Sequence, residues 1–177
     1  MVIVLMGVAG AGKTTIGKRL SRRLGWSFYE GDDFHPPENV EKMRQGIPLT
    51  DEDRVPWLRA LHRLVQRLLE RNEDAVLACS ALKQSYRERL MRGDEGVRFV
   101  YLKGSYDLIR HRLQSREGHY ADADLLDSQF GALEEPAGVV TVEVSRPPDE
   151  VVETIITRLG LDDEERGSDS CSVSILN

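Results

Sequence analysis

The 177-residue chain is poor in cysteine, with Cys79 and Cys171 only, and neither sits at a metal-ligand spacing. A disulfide framework is excluded on that count, and a reducing compartment, the cytoplasm, is expected. Basic residues are also in deficit: 24 Lys and Arg stand against 30 Asp and Glu, a formal net charge of −6. That balance argues against a general nucleic-acid binder, which would show a basic excess. No apolar run approaches the length needed to span a bilayer, and nothing at the N-terminus has the build of a signal peptide. Aromatic residues make up only 6%, so the core must rest on aliphatic side chains. The length suits one domain with a core large enough to fold unaided.

What is present begins at once. An apolar stretch, Val2 to Met6, runs into Gly7-Val8-Ala9-Gly10-Ala11-Gly12-Lys13-Thr14-Thr15, and an amphipathic helix pattern follows. This is a phosphate-binding loop with strand before and helix after, the context that the motif requires. Glycines let backbone N–H groups turn inward around a phosphate, and the helix N-terminus adds its dipole. Lys13 supplies a charge for the β- and γ-phosphates, and Thr14 a hydroxyl for Mg²⁺. The expected ligands are therefore ATP and Mg²⁺.

Strand and helix signals alternate over the rest of the chain. Strands are expected at 26–30, 75–79, 97–102 and 139–144, besides the first. Helices are expected at 14–24, 38–45, 54–71, 83–92, 106–116, 124–133 and 148–161. The implied fold is α/β, a five-stranded parallel sheet with helices on both faces. Residues 1–161 form the expected domain; 162–177 are acidic and aperiodic, and are expected to be a disordered tail.

In such sheets ligands bind beyond the carboxyl ends of the strands, so the residues there are the candidates. Asp32 and Asp33 follow the second strand. Asp32 can take the proton of an attacking hydroxyl or help hold Mg²⁺; an Asx-turn or helix cap is the plainer alternative. His35 can hydrogen-bond a polyol or acid. Thr50 and Asp53 have the spacing of a capping box, and Arg54 stands out as an arginine fork suited to a carboxylate or phosphate. The third strand ends in Cys79-Ser80, where many phosphate-loop enzymes place a metal-organising Asp. Beyond it Lys83 and Arg87 are spaced to share a helix face, as an anion clamp or a solvated basic surface. Arg112 and Arg116, one turn apart before Gly118-His119, suit a lid that closes over a transferring phosphoryl group. Arg146 follows the fifth strand, where it can flank the nucleotide base.

Taken in order, GVAGAGKTT, GDDFHPPENVEKM, PLTDEDRVPWL, CSALKQSYR, YLKG and REGHY…LLDSQFGALEEP resemble the gluconokinase family of small phosphate-loop carbohydrate kinases. The resemblance covers Val2 to Leu161. It implies a nucleoside-monophosphate-kinase-like sheet with a lid, and transfer of the ATP γ-phosphoryl group to the 6-hydroxyl of D-gluconate with Mg²⁺. In that scheme Lys13, Asp32, Arg112 and Arg116 serve catalysis. Arg54, Lys83 and Arg87, with Asp32, His35 and His119, hold the substrate. A homodimer is usual in the family. One departure stands out: where the family follows Gly-His-Phe with Met-Pro, this chain has Gly118-His119-Tyr120-Ala121-Asp122. Two rival functions remain at this level, a kinase for another small hydroxylated acid such as shikimate, and a nucleotide-dependent binding protein without turnover.

Overall fold

The computed structural model describes residues 1–91, 93–115 and 122–162, with the backbone alone for 122–124. Five parallel strands make one sheet in the order β2-β3-β1-β4-β5: β1 Val2–Met6, β2 Ser27–Glu30, β3 Ala75–Ala78, β4 Val97–Lys103 and β5 Val140–Glu143. β1 is central, pairing Val2 with Ala75 of β3 and with Val97 of β4. All five β1 side chains are fully buried, as the unbroken apolar run requires in a sheet covered on both faces.

Strand alternation sends these side chains to two cores. Ile3 and Leu5 join one that includes Ile16 and Leu20 of α1 (Lys13–Leu24), Ile109 and Leu113 of α5 (Tyr106–Gln114), and Ile155 of α7 (Pro148–Leu159). Val2, Val4 and Met6 join the other, built from Trp57, Leu61 and Val65 of α3 (Asp51–Glu70) with Tyr86 and Leu90 of α4 (Gln84–Met91). Helices α2 (Pro37–Arg44) and α6 (Asp122–Ala132) complete the set. The neighbouring strands β1 and β3 thus lead to helices on opposite faces, which opens a crevice between their carboxyl ends.

The expected elements are all found, with most boundaries shifted by one to three residues. α3 begins at Asp51, three residues before the expected Arg54, because the Thr50–Asp53 capping box starts it there. α5 ends at Gln114, and α6 starts at Asp122, inside the stretch expected to be loop. The acidic turn after β2 is a short 3₁₀ helix, Gly31–Phe34. No helix of the described residues is long and apolar enough to cross a membrane. The tail from residue 163 lies outside the described residues.

Candidate active site at the strand ends

The phosphate loop is stitched into the crevice. The Gly7 N–H donates to the Ser80 carbonyl at 3.2 Å, joining the ends of β1 and β3. Gly10 has φ of 81°, and a Cβ there would lie 3.0 Å from Ile109 and Leu113 of α5, so only glycine allows this loop to sit so close. α1 starts from Gly12 without a side-chain cap and without acidic residues in its first turn. Its leading N–H groups therefore present a partial positive charge to an anion. Lys13 Nζ donates to the carbonyls of Gly7 at 2.9 Å and Val8 at 3.0 Å, which holds the ammonium over the loop.

Thr14 and Thr15 are exposed at the mouth. The Thr14 hydroxyl donates to Glu30 Oε2 at 2.7 Å. Burial pushes the Glu30 carboxyl up from its ordinary value, the Thr14 hydrogen bond opposes the shift, and Asp32 adds to it. Glu30, passed over as a strand terminus, is thus a member of the site. Its signal was its place, directly before Gly31-Asp32 at a strand end. No cluster of three or more His, Cys, Asp or Glu among the described residues could hold a metal by itself. Mg²⁺ is usually held by one or two carboxylates with phosphate oxygens and water, and Thr14, Glu30 and Asp32 offer oxygen donors of that kind.

Asp32 projects into solvent, its side chain 76% exposed, with Oδ1 4.0 Å from His35 Nε2. The His35 ring is 6% exposed and stacks on Trp57, centroids 4.5 Å apart and planes 9° from parallel. Trp57 Nε1 in turn donates to the Gly31 carbonyl at 2.7 Å, fixing the turn that carries Asp32. Gly31 itself admits no side chain, since a Cβ would lie 2.5 Å from the Ala78 carbonyl.

The basic candidates divide. Lys83 Nζ meets both oxygens of Asp51 at 2.8 and 2.7 Å, and the Tyr86 hydroxyl also donates to Asp51. Asp51 was not among the expected site residues. Arg87 does not share a face with Lys83: it is buried, and Nη1 donates to the Ala81 and Leu82 carbonyls at 3.0 and 2.9 Å. Lys83 precedes α4, so the helical spacing did not set its direction. Arg54, expected to stand apart from the helix start, is part of it, donating to the carbonyls of Leu49 and Thr50. It also lies 3.9 Å from Asp51.

Arg112 Nη2 donates to the Val144 carbonyl, tying the end of α5 to the end of β5. Arg146 is exposed in the turn that follows. Arg116, His119 and the Tyr120-Ala121 departure lie outside the described residues. Cys79 is buried, and that burial pushes its thiol up to about 12, so it is inert as a nucleophile.

A phosphate loop, an acidic turn and two basic loops on one sheet edge suit transfer of a phosphoryl group to a small acceptor. Comparison with known proteins agrees. The Shikimate kinase family model matches residues 9–160. A gluconokinase of Gluconobacter oxydans is 47% identical over 164 residues, covering 91% of this chain and 92% of that protein. The thermosensitive gluconokinase of Escherichia coli is 48% identical over 133 residues, 75% of this chain and 71% of its own. The crystal structure of a gluconokinase from Sinorhizobium meliloti is 44% identical and superposes with a TM-score of 0.81, over 90% of this chain and 91% of that one. The chain belongs to the gluconokinase family of phosphate-loop small-molecule kinases.

Proposed function

We propose that this chain transfers the γ-phosphoryl group of ATP to the 6-hydroxyl of D-gluconate. The observation that carries the proposal is the 47% identity to a gluconokinase along nearly the whole length of both chains. The acidic turn facing the phosphate loop across the β1–β3 crevice supports it. In the transfer, the acceptor oxygen forms a bond to phosphorus, the bond to the bridging β–γ oxygen breaks, and ADP leaves. The hydroxyl proton passes to the Asp32 carboxylate, which the stacked His35–Trp57 pair and the Gly31 carbonyl bond hold at the rim. Gly7 to Thr15 cradle the phosphates, and Lys13 offsets their charge. Mg²⁺ would be held by Thr14 and Asp32, with Glu30 beside them, and would supply charge neutralisation.

Lys83 and Arg54, both anchored around Asp51, grip the gluconate carboxylate and hydroxyls with His35 and His119. Arg87 serves the same site indirectly, by fixing the loop that carries Lys83. Arg112 and Arg116 close over the γ-phosphate, and Arg146 flanks the base. The kinase domain spans 1–161, and the protein works as a cytoplasmic homodimer.

An ADP-release assay over gluconate, shikimate and related sugar acids tests the substrate. Gluconate should give the highest kcat/KM, and Asp32→Asn should lower its kcat by roughly two to four decades. ADP release no faster with gluconate than without it would overturn the assignment.

A further inference from the structure

The string from Leu125 to Glu134 takes no part in the chemistry above, yet it touches both sides of the crevice. Leu126 of α6 is 1% exposed in the α1–α5–α7 core. Phe130 meets Tyr106 of α5 edge-on, centroids 5.3 Å apart, and the Tyr106 hydroxyl donates to Asp127. These contacts set the rotation of the helix so that Gln129 faces the phosphate loop. There Gln129 Oε1 accepts the Ala9 N–H at 2.6 Å.

That N–H belongs to the peptide whose carbonyl is Val8 O. The same carbonyl accepts Lys13 Nζ at 3.0 Å and the Ala11 N–H at 3.2 Å. A peptide is a rigid plane, so holding its N–H from one side fixes the direction in which its oxygen meets the lysine. Five residues later the same segment grips the other loop. The Glu134 N–H donates to the Leu82 carbonyl at 3.0 Å, and its carboxylate accepts the Gln84 N–H at 2.6 Å. Lys83 lies between those two anchor points.

We propose that Gln129 is a positioning residue for Lys13, and that Gln129 to Glu134 strap the phosphate loop to the Leu82–Gln84 loop as one unit. Gln129 acts through the Val8–Ala9 peptide and carries no chemistry itself. The inference rests on the phosphate loop holding a nucleotide and does not depend on which acid is phosphorylated.

The test uses the full chain with Gln129→Met, which keeps the bulk, and Gln129→Asn, which keeps the amide but is one methylene too short. Calorimetric titration with ADP alone should show affinity about tenfold weaker in both variants, since an orphaned N–H disfavours the loop geometry. Thermal midpoints should remain near that of the parent. Amide exchange in peptides covering Ser80 to Tyr86 should quicken several-fold, although residue 129 touches none of them. ADP affinity within twofold of the parent in both variants overturns the positioning role, and unchanged exchange at 80–86 overturns the strap. Because no sugar acid is present, either result stands apart from a failure of gluconate as substrate.

Discussion

Arg87 is 8% exposed and donates to two loop carbonyls, whereas Lys83, one turn earlier, reaches outward to Asp51. One of the carbonyls belongs to Ala81, whose φ of 43° places it in the left-handed region, at a cost of about 1–2 kcal/mol for a residue with a side chain. The guanidinium holds that strained turn in place. Arg87→Met keeps the stem but orphans the Ala81 carbonyl and leaves the Leu82 carbonyl to the Glu134 N–H alone, and should cost about 1–3 kcal/mol of stability, read by denaturant melts. Lys83→Met should leave the melt nearly unchanged and raise the gluconate KM instead. Equal effects of the two on stability would contradict this division. Sequence spacing could not separate them, because i, i+4 places two residues together only if both lie within the helix, and α4 starts at Gln84. Glu30 escaped for a related reason: it ends a strand, and only the fold brings Thr14, sixteen residues back, against its carboxylate.

At the scale of elements, the start of α3 is both a helix cap and a wall of the site. The Thr50 hydroxyl accepts the Asp53 N–H at 3.2 Å, and Asp53 Oδ2 accepts the Thr50 N–H at 2.9 Å. Lys42 of α2 adds its ammonium to the Asp53 carboxylate, and the Asn39 amide donates to the Asp53 carbonyl. Asp51 and Arg54 are aimed by this same first turn. Thr50→Ala should therefore cost about 1 kcal/mol of stability and also raise the gluconate KM, with the KM for ATP held. A change in stability alone would show that the cap and the site are independent. This element was largely legible beforehand, since the capping spacing and the Trp57–Leu58–Leu61–Leu64–Val65–Leu68 stripe are both local. What the stripe could not show is that Trp57 also seats His35, since that contact joins α3 to the turn after β2, with the whole of α2 between them in sequence.

For the whole molecule, pH acts through the same stack. Burial pulls the His35 imidazole below its ordinary value of 6.5, with Asp32 opposing the shift. The unfolded chain then takes up the proton first as the pH falls. The stability tied to the neutral ring is fully present above 6.5, and is lost as the pH drops from there through the depressed folded value. His35→Phe keeps the stack on Trp57 without the titration, so its thermal midpoint should fall less steeply between pH 6.5 and 5. Parallel curves for the two proteins would remove His35 as the source.

The fold as a class followed from period and punctuation: an unbroken apolar first strand, alternating helices, and Gly25 closing α1 in the left-handed region; Gly160 ends α7 in the same way, short of the expected residue 161. The strand order did not, because nothing local to β1 says that its partners lie at Ala75 and Val97. That order bears on the birth of the protein. Loop-closure entropy must be overcome before pairings so distant in sequence stabilise anything. During synthesis β1 therefore waits, its five apolar side chains uncovered, until the ribosome has delivered most of another hundred residues. The nucleotide loop beside it can acquire its shape only then, when the Ser80 carbonyl and the α5 side chains that brace it exist. A nascent chain stalled before β3 would carry the whole phosphate motif and bind nothing, and its sticky first strand would be a natural client for a chaperone.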